Sequence, residues 1–463
     1  MDFSKIHRIY FIGIGGIGMS ALARYFLAGG FDIAGYDRTP TPITDELIAE
    51  GCDIHFEDEP GLIPEAFRAV QEKDKTLVII TPAIPVGHFE WKYFSENGFR
   101  IIKRSQVLGW ISERSKAIAV AGTHGKTTIT AMIAHILKQS ELDCTAFIGG
   151  ISKNYQSNLM LGDSEYTVLE ADEFDRSFLT LHPYIAVISS IDPDHLDIYR
   201  NKNHLQESFE LFAKQTVENG YLIIKKGVEL TIEDREDLKV FTYSFSQEAD
   251  FYAENLKLDN GLYTFDVVIP GGKLSDIRLG FPGKINVENA VAGVAVAWIL
   301  GVPEETIRKA LLYFLGISRR FDIQYKSENM VYIDDYAHHP VELSSLIESV
   351  REMYPEKKIT GIFQPHLYSR TRDLYMDFAI SLSKLDKLIL LDIYPAREEP
   401  IKGVSANMIL KEVSIGEKNI LSKEEILEAV KDMKEGVLLT IGAGDIFNLV
   451  DPINKFLKES TPE

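Results

Sequence analysis

The stretch Ala117-Ile118-Ala119-Val120-Ala121-Gly122-Thr123-His124-Gly125-Lys126-Thr127-Thr128 decides how this chain is read. Its first five residues are apolar and predict a buried strand. After the glycine turn, Ile129, Met132, Ile133, Ile136 and Leu137 recur at i, i+3, i+4, i+7 and i+8, which predicts a helix with one buried face. A strand, a glycine loop and a helix that opens on Lys and Thr make a phosphate-binding loop. Backbone amides of Gly122, Thr123, His124, Gly125 and Thr128 cradle phosphate oxygens. Lys126 neutralises the β/γ oxygens, and the Thr127 hydroxyl is placed to ligate Mg²⁺. The loop is shorter than GxxxxGK[ST], because Val120 stands where the first glycine belongs.

The residues on either side extend this reading. Tyr166–Leu169 is an apolar strand ending at Glu170, the best candidate carboxylate for Mg²⁺ beside the loop. His195, in Asp192-Pro193-Asp194-His195-Leu196-Asp197 after a strand at 185–190, is a second candidate ligand. Either residue alone reads as well as a loop residue or helix cap. Their shared position after strands of one unit favours the metal.

Upstream, Gly13-Ile14-Gly15-Gly16-Ile17-Gly18 matches GxGxxG between a strand (7–12) and a helix (17–28), and Asp37 ends the next strand 19 residues after Gly18. That is a dinucleotide-type fingerprint. Gly15, Gly16, Ile17 and Gly18 let backbone amides and a helix N-terminus approach a pyrophosphate, and Asp37 takes ribose hydroxyls or a base edge. The motif does not distinguish NAD from a UDP-sugar. A tight turn with no ligand is the bland alternative. Lys5, Arg8 and the apolar run 9–22 mimic a signal peptide, but the glycines and the lack of a cleavage site favour a strand, turn and helix.

Downstream, residues 240–282 alternate and carry turn signals at Asp259-Asn260-Gly261 and Pro270-Gly271-Gly272, predicting an antiparallel excursion. A third unit begins near Gly316, with strands at 331–333, 359–363, 388–391 and 437–441. Polar clusters follow them at Asp334-Asp335, Gln364-Pro365-His366 and Gly442-Ala443-Gly444-Asp445. The expectation is an α/β chain of three domains. Residues 1–112 are Rossmann-like, 113–316 form a P-loop ATPase-type, mostly parallel sheet with the antiparallel excursion, and 317–463 are again Rossmann-like.

Composition narrows the function classes. The 463 residues are 45% hydrophobic and 25% charged, a balance that excludes a mainly disordered chain. Asp and Glu (69) outnumber Lys and Arg (49), and the net charge of −20 argues against nucleic acid or anionic lipid as partner. Two cysteines, outside any CxxC or Cys/His cluster, fit a reducing cytoplasm and no structural zinc. No apolar run approaches the ~20 residues of a membrane helix.

Nine separated motifs, in order, resemble the Mur ligases: GTHGKTT (122–128), LEADE (169–173), DPDHLD (192–197), the Asn286/Asn289 segment, Arg319-Arg320-Phe321, DDYAHHP (334–340), FQPHLYSRT (363–371), DIYPAREEPIKGVS (392–405) and GAGDI (442–446). With GIGGIGMS (13–20), the resemblance covers essentially the whole chain. It implies an ATP-dependent amide ligase of peptidoglycan precursor synthesis. Its substrates would be UDP-N-acetylmuramate, L-alanine and ATP, with Mg²⁺ as cofactor. The N-terminal domain would hold the UDP-sugar, the central one ATP and Mg²⁺, and the C-terminal one the amino acid, closing over the central domain to keep water from an acyl phosphate.

By the same resemblance, Asn286 and Asn289 lie near adenine, and Arg319, joined by Arg320, reaches the γ-phosphate. His124 and Arg370 contact the UDP-sugar. Tyr336, His338 and His366 line the amino-acid region, with His338 or His366 as the base. Some sister ligases carry a carbamylated lysine where Phe209-Glu210 stands here, so a carbamate-bridged second Mg²⁺ is not implied. A cytoplasmic monomer or homodimer is expected. The alternatives are a ligase joining UDP-N-acetylmuramate to a recycled peptide, a nicotinamide-dependent oxidoreductase, and a non-catalytic ATP-driven switch. The oxidoreductase leaves the phosphate loop, Glu170 and Arg319 unexplained, and the switch predicts slow ATP turnover unaffected by any amine or UDP-sugar.

Overall fold

The computed structural model describes residues 3–85, 87–192, 202–232, 235–396, 398–431 and 433–460. Three sheets carry the architecture. The first contains β1 (Arg8–Ile12), β2 (Asp32–Tyr36), β3 (Asp53–His55), β4 (Thr76–Ile80) and β5 (Arg100–Lys103) in the order β3-β2-β1-β4-β5. All its pairs are parallel. Ile9 to Ile12 are fully buried, and alternate residues feed different cores: Ile9 and Phe11 on one face, Tyr10 and Ile12 on the other. A short unbroken apolar run is what such a doubly covered parallel strand requires. Strand order reverses beside β1, so the first glycine loop opens at a topological switch point.

The second sheet has ten strands: β6 (Lys116–Ala121), β7 (Thr145–Ser152), β8 (Ser157–Met160), β9 (Tyr166–Ala171), β10 (Ile185–Ile188), β11 (Tyr221–Lys225), β12 (Lys239–Ser244), β13 (Phe251–Asp259), β14 (Leu262–Ile269) and β15 (Gly272–Arg278). Their order is β15-β14-β13-β12-β11-β10-β6-β9-β7-β8. β6 lies between β10 and β9, parallel to both, so the phosphate loop that follows it is flanked by the ends of those two strands. The expected excursion is present. β13 and β14 are neighbours joined through Asn260 and Gly261 alone, a connection open only to antiparallel strands. The antiparallel β7/β8 pair was not foreseen.

The helix Lys126–Lys138 differs from its expected single buried face. Every residue from Thr127 to Leu137 is buried. The positions between the large apolar ones hold Thr130, Ala131 and Ala134, small enough for close cover on the second side. There Met132 and Ile136 meet Gly293 of the helix Lys284–Ile299.

The third sheet contains β16 (Asp322–Lys326), β17 (Met330–Asp335), β18 (Ile359–Phe363), β19 (Lys387–Leu390), β20 (Glu417–Ile420) and β21 (Gly436–Ile441) in the order β16-β17-β21-β18-β19-β20. Only β16 is antiparallel to its neighbour. Asp334 and Asp335 do not follow their strand, as the sequence suggested. They are its last two residues, paired with Thr440 and Ile441. Their buried carboxylates find donors in Thr440 and in the Phe321 and Ala337 amides, so the strand continues through them.

By contacts the chain forms two compact units. One contains residues 1–254, 266–277 and 289–314. The other contains 255–265, 278–288 and 315–463.

Candidate active site

In the first unit, Gly125 caps the phosphate-loop helix in the left-handed region (φ 82°), and no acidic residue occupies the first turn. The helix N-terminus therefore keeps its positive end for an anion. The loop is braced from β10. The Ser190 hydroxyl meets Thr123 Oγ1 and accepts from the His124 amide, both at 2.9 Å, and the Thr123 hydroxyl accepts from the Asp192 amide at 3.0 Å. Asn289 lies on the other side, its Oδ1 3.0 Å from where a Cβ on Gly125 would stand.

Lys126 Nζ donates to the Gly122 carbonyl at 2.6 Å and to Glu173 at 2.9 Å. Burial works against its charge. The carboxylates of Glu173, Asp172 and Glu170 outweigh that and hold the ammonium above its usual pKa. Glu170, the last residue but one of β9, takes Thr127 Oγ1 at 3.3 Å and the Gly149 amide at 2.6 Å. A hydroxyl and a carboxylate side by side at a phosphate loop are hard oxygen donors, and they fit Mg²⁺ that keeps phosphate and water as its remaining ligands. Among the described residues no group of three His, Cys, Asp or Glu is arranged to hold a metal. His195, the other candidate ligand, lies outside the described residues.

The first glycine loop is organised around Asp37, whose Oδ2 accepts from the Gly15 amide at 2.8 Å while Oδ1 accepts from Thr39. Gly16 caps the helix Ile17–Ala28 without a side-chain cap. Gly18, in its first turn, lies against the Arg104 guanidinium, which in turn pairs with Asp172 at 2.9 Å. Neither Arg104 nor Glu173 stood among the predicted site residues. Glu173 lies within the LEADE string, and a second carboxylate three residues from Glu170 was its signal. For Arg104 the sequence carries none.

The second unit gathers the remaining candidates. Arg319 has φ 64°, and its guanidinium contacts Asp334 at 3.3 Å, donates to the Gly442 carbonyl at 2.6 Å and lies over the Tyr336 and Phe447 rings. Arg320 also lies 5.0 Å from the Tyr336 ring centre, and 3.8 Å from Glu342. Burial pushes the Asp334 carboxyl up, against the opposing pull of Arg319.

The rings of Tyr336 and His338 stand 5.4 Å apart, those of His338 and His366 6.1 Å, and those of His366 and Tyr394 5.7 Å. His338 Nδ1 is 3.1 Å from the Tyr336 carbonyl, and Arg370 Nη1 is 3.4 Å from His366 Nδ1. Tyr336, His338, His366 and Arg370 thus form one aromatic and cationic cluster at the ends of β17 and β18. Asn286, also in this unit, donates to the Pro282 carbonyl at 2.6 Å.

Comparisons with known proteins agree with the fold. Residues 8–116 match the Mur ligase family catalytic domain, 120–297 the Mur ligase middle domain, and 319–444 the Mur ligase glutamate ligase domain. The UDP-N-acetylmuramate–L-alanine ligase of Parabacteroides distasonis is 54% identical over 99% of this chain and 98% of its own length. The ligase of the same name from Phocaeicola vulgatus is 52% identical over 98% of each. A crystal structure of UDP-N-acetylmuramate–alanine ligase MurC from Thermotoga maritima superposes with a TM-score of 0.83 at 28% identity, covering 98% of this chain and all of that one. Two glycine loops, each following a parallel strand of its own sheet, and three consecutive domain matches lead to one conclusion: the chain belongs to the Mur ligase family.

Proposed function

We propose that the chain is an ATP-dependent amide ligase that joins L-alanine to UDP-N-acetylmuramate, releasing ADP and phosphate, in peptidoglycan precursor synthesis. The observation that carries this reading is identity above one half, over nearly the full length, to ligases of that name. The residues supply the chemistry. A carboxylate is a poor electrophile because oxide is a poor leaving group. The muramate carboxylate attacks the γ-phosphorus of ATP, ADP departs, and an acyl phosphate forms. The amine then attacks the acyl carbon, phosphate departs, and the nitrogen loses a proton.

The first step brings anions together. Lys126, on the phosphate loop, is the cation that offsets their repulsion there. Thr127 and Glu170 would hold Mg²⁺, which when bound with the nucleotide adds neutralisation of the phosphate oxygens. Asn289 beside Gly125, with Asn286, serves the adenine side. Arg319 spends donors on Asp334 and the Gly442 carbonyl, whereas Arg320 has a 3.8 Å ion pair with Glu342 and a place over the Tyr336 ring. Arg320 is therefore the better placed of the two to turn to a phosphoryl group, and Arg319 shapes the turn that presents it.

For the proton, hydrogen-bond partners separate the two histidines. His338 Nδ1 faces a carbonyl and so carries the hydrogen, leaving Nε2 basic. His366 Nδ1 faces an arginine donor and so carries the lone pair. His338 is the base and His366, with Tyr336, positions the amino acid.

Gly15, Gly16, Ile17, Gly18 and Asp37 hold the UDP-sugar, with His124 and Arg370 reaching it. The segments 1–112, 113–316 and 317–463 serve UDP-sugar, nucleotide and amino acid in turn. The location is cytoplasmic, in keeping with two free, buried cysteines, and the state is monomer or homodimer. No helix among the described residues is long and apolar enough to cross a membrane.

The test is a product assay by mass spectrometry with purified protein, ATP, Mg²⁺, UDP-N-acetylmuramate and an amino-acid mixture. UDP-N-acetylmuramoyl-alanine with stoichiometric ADP and phosphate is the expected product. Turnover only with a tripeptide in place of alanine would replace this reading with the recycling ligase.

A further inference from the structure

Arg104 opens the helix Arg104–Ser112 directly after β5. Its Nη2 donates to Asp172 Oδ2 at 2.9 Å. Its Nη1 faces the first glycine loop, 2.0 Å from the place a Cβ on Gly18 would occupy. The third glycine of such a loop ordinarily allows close packing of helix on strand. Here the missing side chain also makes room for a guanidinium, whose side chain is 21% exposed.

Asp172 stands between the two carboxylates of the nucleotide site, Glu170 and Glu173. Its other oxygen accepts from the Phe174 amide at 3.1 Å. Immediately beyond, Asp175 and Arg176 hold left-handed backbone (φ 54° and 53°), a conformation that costs non-glycine residues energy and persists only when its surroundings impose it. Two consecutive cations pair with this turn, Arg104 with Asp172 and Lys103 with Asp175 at 2.8 Å. This turn carries Glu173 onto Lys126. A continuous series of contacts thus runs from Gly18 through Arg104, Asp172 and Glu173 to Lys126.

We propose that Arg104 is a positioning residue that couples the two glycine loops, one side of its guanidinium serving the anion at the first loop and the other fixing the turn that seats Lys126. The identity of the two anions rests on the ligase reading above. A planar fork addresses two acceptors at once, which a lysine ammonium on its flexible stem does not. A cation between two anionic ligands also lowers their mutual repulsion. Coupling of this kind is reciprocal: whatever one ligand does to the affinity of the other is returned equally.

Calorimetric titration of UDP-N-acetylmuramate, with and without saturating Mg·ADP, tests this on the full chain. The variants are Arg104→Gln, Arg104→Lys, Asp172→Asn and the double Arg104→Gln/Asp172→Asn. Each is expected to bind Mg·ADP alone. The factor by which Mg·ADP changes affinity for the UDP-sugar should become less favourable by at least ~5-fold in each single variant. The double variant should lose no more than either single, since both act through one contact. A factor unchanged in Arg104→Gln, or additive losses in the double variant, overturns the proposal. Failure of the unmodified chain to bind either ligand alone would instead sink the ligase reading, and this inference with it.

Discussion

The ammonium of Lys126 lies 2.9 Å from both carboxylate oxygens of Glu173, a residue only 1% exposed. The phosphate-loop lysine is thus held charged and seated by a buried partner. Removing one member of a buried pair leaves the other as an uncompensated charge, which costs more than the contact itself contributes.

Lys126→Ala should therefore do two separable things. Ligase turnover should fall by a factor of about 10²–10³ or more, the usual loss for one transition-state charge donor. Thermal stability should fall as well, because Glu173 is left buried without its cation. Adding Glu173→Gln should restore the melting temperature and leave activity lost. If the double variant stays as unstable as Lys126→Ala, the stability role assigned to the pair is wrong.

Gly149 touches the other carboxylate. A Cβ there would stand 2.5–2.8 Å from the Glu170 carboxyl group, whose Oε1 already takes the Gly149 amide. Gly149→Ala should push Glu170 off its position without touching the loop. The Mg²⁺ concentration for half-maximal turnover should rise by ~10-fold or more, as for other losses of support behind a metal ligand. An unchanged Mg²⁺ requirement would remove Glu170 from the metal site.

The neighbouring arginines should behave differently. Arg319→Ala strips Asp334, which is fully buried, of its cation and frees the Gly442 carbonyl. A lowered melting temperature is expected. Arg320→Ala should lower the melting temperature less than Arg319→Ala, since no hydrogen bond to a buried carboxylate is lost, and should reduce kcat. Equal losses of stability in both would show that neither is held in reserve for the phosphoryl group.

A pH effect should come from the N-terminal sheet. Burial, with Asp58 adding to it, pushes the Glu90 carboxyl from 4.5 up to about 8, against the Tyr10 hydrogen bond at 2.7 Å. His55 stands 3.2 Å away on the same carboxylate. The folded chain then binds more protons than the unfolded one between pH 4.5 and about 8, so this group makes stability fall as pH rises through that window. Denaturation midpoints across it should decline less in Glu90→Gln than in the unmodified chain. An identical decline would place the proton elsewhere.

Much of this was legible in the residues. The strand Lys116–Ala121, the glycine cap and the helix Lys126–Lys138 are local events, set by an apolar run, a left-handed turn and side chains within one helical turn of each other. The same holds for β1, Gly15–Gly18 and Asp37. Harder to read were Asp334 and Asp335. Two adjacent carboxylates signal a loop, and only donors from distant segments, Thr440 and the Phe321 amide, let a strand run through them.

The amino-acid sequence by itself determined the strands that lead into the two glycine loops, where the chain turns for phosphate, and which family's motifs it carries. Backbone conformation and the burial of apolar runs depend on near neighbours. Tertiary structure alone decided which charge meets which. It gave Lys126 to Glu173 rather than Glu170, set Arg104 between Gly18 and Asp172, and left Arg320 less engaged than Arg319. Those pairings join groups far apart in the chain, and a carboxylate's partner is fixed by the few ångströms of space that folding creates around it.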